Sequence, residues 1–270
     1  MKTSISELKE IAKKVRIDVI EMTHQVQSGH PGGSLSAVDI LISLYFVMMN
    51  IDPNKPNWEL RDRFILSKAH DCPGLYAVLA RRGFFPVEEL SSFRRLNSRL
   101  QGHSHLGTPG VEMSGGSLGQ GLSAGLGMAL AANLDKKNNY IYVMLGDGEL
   151  NEGQIWEAAM AASHYSTDNL TAIVDRNRIQ NDRFTHEVME LEPLKEKWES
   201  FGWDVRECDG HDFNDIIDQL QLAKEVNGKP SLIIANTVKG KGVSFMENNP
   251  DFHGKATNDE QYEQAMQELK

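Results

Sequence analysis

Three continuous apolar runs constrain this chain most: Tyr140–Leu145 (YIYVML), Leu170–Val174 (LTAIV) and Ser231–Asn236 (SLIIAN). A strand with one wet face alternates apolar and polar residues. A strand that is apolar at nearly every position is covered on both faces, as in parallel sheets. Parallel neighbours need long crossovers, and helical patterns separate these runs. Ile5–Gln27 places Ile5, Leu8, Ile11, Ala12, Val15, Val19, Ile20 and Met22 in a helical stripe that Gly29 and Pro31 stop. Ser36–Met49, Leu75–Arg82, Leu118–Leu134, Gln154–His164 and Phe213–Val226 read as further helices, and Arg63–Ser67 and Trp203–Glu207 as further strands. The spacing predicts an α/β fold, a doubly wound parallel sheet with helices on both faces, as one domain over residues 1–270.

Composition narrows the partners. With 28 Lys and Arg against 38 Asp and Glu, the net charge is −10, which argues against nucleic acid and anionic membranes. Any phosphate it holds must meet concentrated positive groups or a metal. Two cysteines, Cys72 and Cys208, make no disulfide framework and predict a reducing, cytoplasmic setting. The longest apolar stretch, around Ala37–Met49, is broken by Asp39 and Ser43, so no transmembrane helix is expected. Met1–Lys14 has no apolar core behind its lysines, so no signal peptide is expected either.

In parallel α/β sheets ligands bind at the carboxyl ends of strands. The loops there read Gly146-Asp147-Gly148, then Asp175-Arg176-Asn177, then Lys239-Gly240-Lys241-Gly242. Asp147 is a hard oxygen donor between glycines, and Asn177 adds a neutral oxygen. A carboxylate, an amide oxygen, a backbone carbonyl and two phosphate oxygens suit octahedral Mg²⁺. The helix expected to open near Glu152 adds a partial positive end. A second cluster is histidine among glycines: His30, His103 and His253, with His70 just after the strand Arg63–Ser67. At element ends, histidines can donate to phosphate and hydroxyl groups. His24, His105, His164, His186 and His211 read as structural. No H-E-x-x-H or C-x-x-C spacing occurs, which argues against zinc.

Nine glycines crowd residues 102–127. Gly119-Gln120-Gly121 with Gly125 is similar to a dinucleotide fingerprint, which would make the chain an NAD-dependent oxidoreductase. The fingerprint must follow a buried strand, and Thr108–Ser117 (TPGVEMSGGS) cannot be one, so NAD is disfavoured.

The phrases SGHPGG, RDRFILSKAH, GVEMSGGSLGQGLSAGLGMA, GDGELNEG, DRNRIQND and HGK occur in that order. Together they resemble transketolase, a thiamine diphosphate enzyme, from about Ile11 to Ala256. The likeness is to the amino-terminal, diphosphate-binding domain of a protein usually more than twice as long. It implies the N-terminal subunit of a split transketolase. A partner C-terminal subunit would carry the pyrimidine-binding and carboxyl-terminal domains, in an α2β2 assembly acting on sugar phosphates.

The resemblance implies that Asp147, Asn177 and the Ile179 carbonyl ligate Mg²⁺, with Ca²⁺ or Mn²⁺ as substitutes. Gly146, Gly148, Glu149, His70 and His253 would hold the diphosphate, and Gly116 and Leu118 would line the aminopyrimidine side. His30, His103 and His253 would face the sugar and transferred protons. Glu152 and Glu157 would link paired sites across a subunit interface. Two stretches depart from the pattern. Ala69-His70-Asp71-Cys72 replaces small, uncharged neighbours, and His103-Ser104-His105 replaces His-Pro. Other outcomes of the same likeness are a subunit for an unusual sugar, a deoxyxylulose phosphate synthase-like reaction, or a paralogue that binds cofactor without turnover.

Overall fold

The computed structural model describes residues 3–181 and 183–270; Met1, Lys2 and Asp182, the last residue of DRNRIQND, lie outside them. Five parallel strands form one sheet: β1 (Arg63–Leu66), β2 (Ile141–Gly146), β3 (Leu170–Arg176), β4 (Asp204–Asp209) and β5 (Ser231–Asn236). Their spatial order is β1-β2-β3-β5-β4. The three apolar runs are the three central strands, in register Ile141↔Leu170 and Thr171↔Ser231. Ser231–Asn236 pairs with β3 and β4 along its two edges, and its side chains enter both apolar clusters, Ile233 and Ala235 on one face and Leu232 and Ile234 on the other. The edge strand β4 is more polar and partly exposed.

Period-two alternation divides the core. Ile141, Val143 and Leu145 join one apolar cluster, while Tyr142 and Met144 join the other. Over the first lie α4 (Gln120–Leu134), α5 (Gly153–His164) and α7 (Leu194–Ser200). The second is covered by α1 (Ile5–Gln25), α2 (Pro31–Ser43), α3 (Cys72–Arg82), α8 (Phe213–Lys224) and α9 (Asp259–Leu269). A single turn, α6 (Thr185–Val188), completes the helices among the described residues. The fold is therefore the expected one, with helices on both faces of a parallel sheet.

Local chemistry sets the helix starts. Ser4 and Glu7 close a capping box on α1, and Leu8, Val15 and Val19 follow on its buried face. The sequence reading starts α2 at Ser36, but the helix begins at Pro31. Proline suits the first helical position because that N–H has no intrahelical partner. All thirteen residues of α2 are buried, and a wide π turn over Leu44–Met48 follows. Residues Pro31–Met48 are long and apolar enough for a membrane span, with mean hydropathy 1.4, yet 83% of that segment is buried inside this fold. It is the central core helix.

The glycines of α4 have a packing reason. A Cβ on Gly125 would stand 2.4 Å from Val143 Cγ2, so the helix lies directly on β2. The segment before α4 is turn and irregular backbone, not a strand, which removes the context a dinucleotide fingerprint needs.

Candidate active site

The carboxyl ends of β1, β2, β3 and β5 open into one cavity of about 400 Å³. It is lined by His30, His70, His103, Gly116, Leu118, Gly146, Asp147, Gly148, Glu149, Glu152, Asn177, Ile179 and His253. These come from segments at opposite ends of the chain. Of the residues singled out by sequence, Glu157 alone stands elsewhere, on the exposed face of α5. Its place is a corollary of helix geometry: five positions after Glu152, it is rotated away from the cavity rim.

Asp147 is 2% exposed. Its Oδ1 accepts from Gly148 N at 2.8 Å and its Oδ2 from Arg178 N. No basic side chain among the described residues forms an ion pair with it. Burial, reinforced by the nearby charge of Asp175, pushes its carboxyl up to about 6. Asn177 Oδ1 accepts from Ile179 N at 3.1 Å, fixing the turn that presents the Ile179 carbonyl. These three oxygen donors fit a hard divalent cation. A buried carboxylate with a raised pKa and no cation paired to it is suited to an ion that brings its own charge. Among the described residues no group of three or more His, Cys, Asp or Glu could hold a metal, so no zinc-type ligand cluster competes.

Two lysines also line the cavity: Lys68, which the sequence reading passed over, and Lys239, which it placed in a strand-end loop without a role. Lys68 Nζ reaches Gly33 O at 3.2 Å, Asp71 Oδ2 at 2.6 Å, and Asp175 Oδ2. Burial disfavours its charge, but Asp175 and Asp71 hold the ammonium above the usual lysine range. Lys239 Nζ donates to Ile179 O at 2.8 Å and meets His253 Nδ1 at 2.8 Å. An ammonium only donates, so Nδ1 of a neutral His253 accepts and its Nε2 carries the ring proton. Burial lowers the pKa of Lys239, opposed by the carboxylates around it. Both lysines follow apolar runs, in Ser67-Lys68 and Lys239-Gly240; that position was the available signal.

Asp175 organises the floor. It receives Lys68, Thr237 Oγ1, Ser36 Oγ at 2.5 Å and Asn177 Nδ2 at 3.3 Å. Glu149 turns inward as a brace. Its oxygens take Gly119 N at 2.8 Å, Gly146 N at 2.9 Å and Ser67 Oγ, tying GDGE to GSLGQG and to the end of β1. Burial raises its carboxyl.

The histidines form one cluster. Ring centroids lie 5.0 Å apart for His30 and His70, 5.3 Å for His70 and His253, 5.5 Å for His30 and His253, and 6.3 Å for His30 and His103. Burial lowers all four, His70 to about 4 and His253, with help from Lys239, to about 3. Away from the cavity, His211 bridges Asp39 and Val238 N, and His24 stacks on Tyr262.

This predicts a pH effect. The folded pKa values of His70 and His253 lie below the ordinary histidine value, so the unfolded chain takes up protons first as pH falls. Stability should be lost from pH 6.5 downward, through about 4 for His70 and about 3 for His253. Asp147 acts with the opposite sign, which is why a comparison is needed. Melting curves of the chain and of a His70→Asn/His253→Asn variant should diverge over that window, the variant being less acid-sensitive. Parallel curves would contradict the burial of two neutral histidines.

Comparison with known proteins agrees with this geometry. Residues 7–270 match the family described as transketolase, thiamine diphosphate binding domain. The 6-deoxy-6-sulfo-D-fructose transketolase subunit of a Clostridium species is 46% identical over 97% of this chain and 96% of its own length. An apulose-4-phosphate transketolase subunit from Phocaeicola vulgatus is 44% identical over 96% and 92%. The solved transketolase of Campylobacter jejuni superposes with a TM-score of 0.92 at 34% identity, covering 98% of this chain and 43% of that one. The chain thus spans nearly all of the two subunits and about two fifths of the longer enzyme. It belongs to the transketolase family, as a match to that family's thiamine diphosphate-binding domain.

Proposed function

We propose that the chain is the N-terminal subunit of a two-chain transketolase that binds thiamine diphosphate and Mg²⁺. With its partner it would transfer a two-carbon ketol unit from a ketose to an aldose. The observation that carries this reading is Asp147: a buried carboxylate at a strand end, with no ion-pair partner among the described residues, beside the oxygens of Asn177 and Ile179. Asp147, Asn177 and the Ile179 carbonyl would hold Mg²⁺. Lys239, His70, His253 and the Gly148 backbone would meet the diphosphate, and Gly116 and Leu118 would face the aminopyrimidine side. When bound, thiamine diphosphate supplies a nucleophilic carbon for breaking and making the bond beside a ketose carbonyl. The protein's part is to anchor the charged end, orient it and donate hydrogen bonds to the sugar.

His30 and His103 would serve the sugar. Two relatives are named for a sulfonated fructose and for apulose 4-phosphate; their similarity supports a sugar substrate for this chain, including less common ketoses. The exposed face of α4 and α5, with Leu134, Met160 and Glu157, supports a subunit contact there. We take Glu152, Glu157 and the Gly115–Gly121 phrase as part of it, in an α2β2 assembly. Cys72 and Cys208 are buried free thiols, in keeping with a reducing compartment.

Steady-state kinetics beside cofactor titration test the reading on the assembled complex. His30→Ala and His103→Ala should lower turnover by ~10²–10⁴-fold, the usual range for a lost proton donor or acceptor, with cofactor affinity kept. His70→Ala and His253→Ala should instead weaken cofactor retention. Equal loss of cofactor in all four would contradict the division.

A further inference from the structure

Two of the cavity histidines follow a glycine, as Gly29-His30 and Gly102-His103. One short segment packs against both glycines. That segment, Phe93-Arg94, follows the 3-10 helix Val87–Ser92. A Cβ on Gly29 would stand 2.7 Å from Thr23 Cγ2 and 3.3 Å from Phe93 Cε1, and a Cβ on Gly102 would stand 2.6 Å from Arg94 Cζ and Nε. Phe93 is buried, and the Arg94 guanidinium lies 5.6 Å from its ring centroid.

The guanidinium joins the two turns. Nη1 donates to Ser28 Oγ at 2.8 Å, two residues before His30, and Nη2 donates to the Gly102 carbonyl at 3.3 Å, one residue before His103. Tyr76 Oη also holds the His103 carbonyl, at 2.9 Å. Among the described residues, no other side chain hydrogen-bonds to both turns. The Arg94 backbone is fixed as well. Its N–H donates to Leu100 O at 2.9 Å, and its φ of 54° is a left-handed conformation that residues other than glycine seldom adopt. Such backbone persists where the surroundings over-determine it, and it concentrates at functional sites.

The arginine is also an uncompensated charge. No carboxylate among the described residues pairs with it, and its Nε is buried without a partner. Burial is the largest cause holding His30 and His103 below the ordinary histidine value, and the Arg94 charge adds to it at both. Asp71 opposes them, and His103 and Lys239 also add at His30. The rings of His70 and His253 face His30 too.

We propose that Arg94 is a positioning residue: its guanidinium bridges the Ser28–His30 and Gly102–His103 turns and sets how the two sugar-side histidines stand to each other. The inference rests on the reading in which those histidines serve the sugar. Arg94 is not among the residues that line the cavity, so it acts through the turns rather than by touching substrate.

The test compares Arg94→Gln, which removes the charge and cannot span both turns, with Arg94→Lys, which keeps the charge. In the assembled two-chain enzyme the Gln variant should lose roughly 10- to 100-fold in kcat, the scale of a misplacement near 1 Å, with cofactor affinity kept. The Lys variant should recover part of that loss. In the full chain without cofactor, the ring NMR signals of His30 and His103 should both titrate at higher pH in the Gln variant, by about half a pH unit or more, and close to wild type in the Lys variant. The sign follows because a cation that disfavours each imidazolium has been removed. Unmoved titrations of both rings in Arg94→Gln would overturn the proposal. Loss of cofactor binding or of the folding transition in both variants would also overturn it, since Arg94 would then be a general scaffold residue. If the wild-type complex transfers from no ketose, the proposed function fails; the titrations need no turnover and still decide whether the guanidinium bridges the two histidine turns.

Discussion

Replacing Asp147 by alanine is expected to abolish Mg²⁺-dependent retention of thiamine diphosphate. Changes in residues that merely orient a metal ligand cost 10–100-fold in affinity, so loss of a ligand should cost at least about 100-fold. Lys239 remains to attract the diphosphate, which predicts weak residual binding that no longer responds to Mg²⁺ or to a chelator. Asp147→Asn should behave similarly, since its loss is of charge. The charge acts on stability with the other sign. The folded pKa of Asp147, about 6, lies above the ordinary value of 3.8, so at neutral pH its ionisation favours the unfolded chain. The Asn variant removes that charge, but its amide nitrogen cannot accept from Gly148 N or Arg178 N, so the gain in stability is offset by one unmade buried hydrogen bond. The measurement is a cofactor titration with and without Mg²⁺, beside a melting curve. Wild-type affinity in the variant would remove Asp147 from the metal site.

The parts of the molecule legible in sequence were those with period and covering. A run such as YIYVML has few homes other than the middle of a parallel sheet, and all three runs took central strands. The loops that follow them then had to share one edge, which is why Asp147, Asn177 and Lys239 line the same cavity. What was less legible depended on contacts rather than pattern. Lys68 looks like an ordinary loop lysine until Asp71 and Asp175 are brought to it. Glu149 is given by the resemblance as one of the groups about the diphosphate, and only the structure shows that its oxygens take donors from Ser67, from Gly146 of β2 and from Gly119. The helix α2 begins at Pro31 because a proline that stops one helix also opens the next. The amphipathic α9 escapes a reading based on apolar runs, although Asn258 and Gln261 form a capping box at its start.

On the proposed reading this chain holds the charged end of the cofactor and needs a second polypeptide to use it. The cavity would then supply groups for a diphosphate, a divalent cation and part of a sugar. The proposed partner would carry the pyrimidine-binding domain and the group that activates the cofactor there, and this chain spans about two fifths of the single-chain transketolases. A held but unactivated cofactor should be slow. A missing general acid–base group costs ~10²–10⁴-fold, and loss of positioning against the pyrimidine ring adds to that. The purified chain should therefore show at least about 10⁴-fold less transfer than the complete enzyme. The direct measurement is a two-carbon transfer assay, with thiamine diphosphate and Mg²⁺, on this chain, on its carboxyl-terminal partner and on their mixture, with the size of each species determined in parallel. The account predicts no transfer from either polypeptide alone and activity from a mixture that elutes as two copies of each; full activity from this chain alone would contradict it.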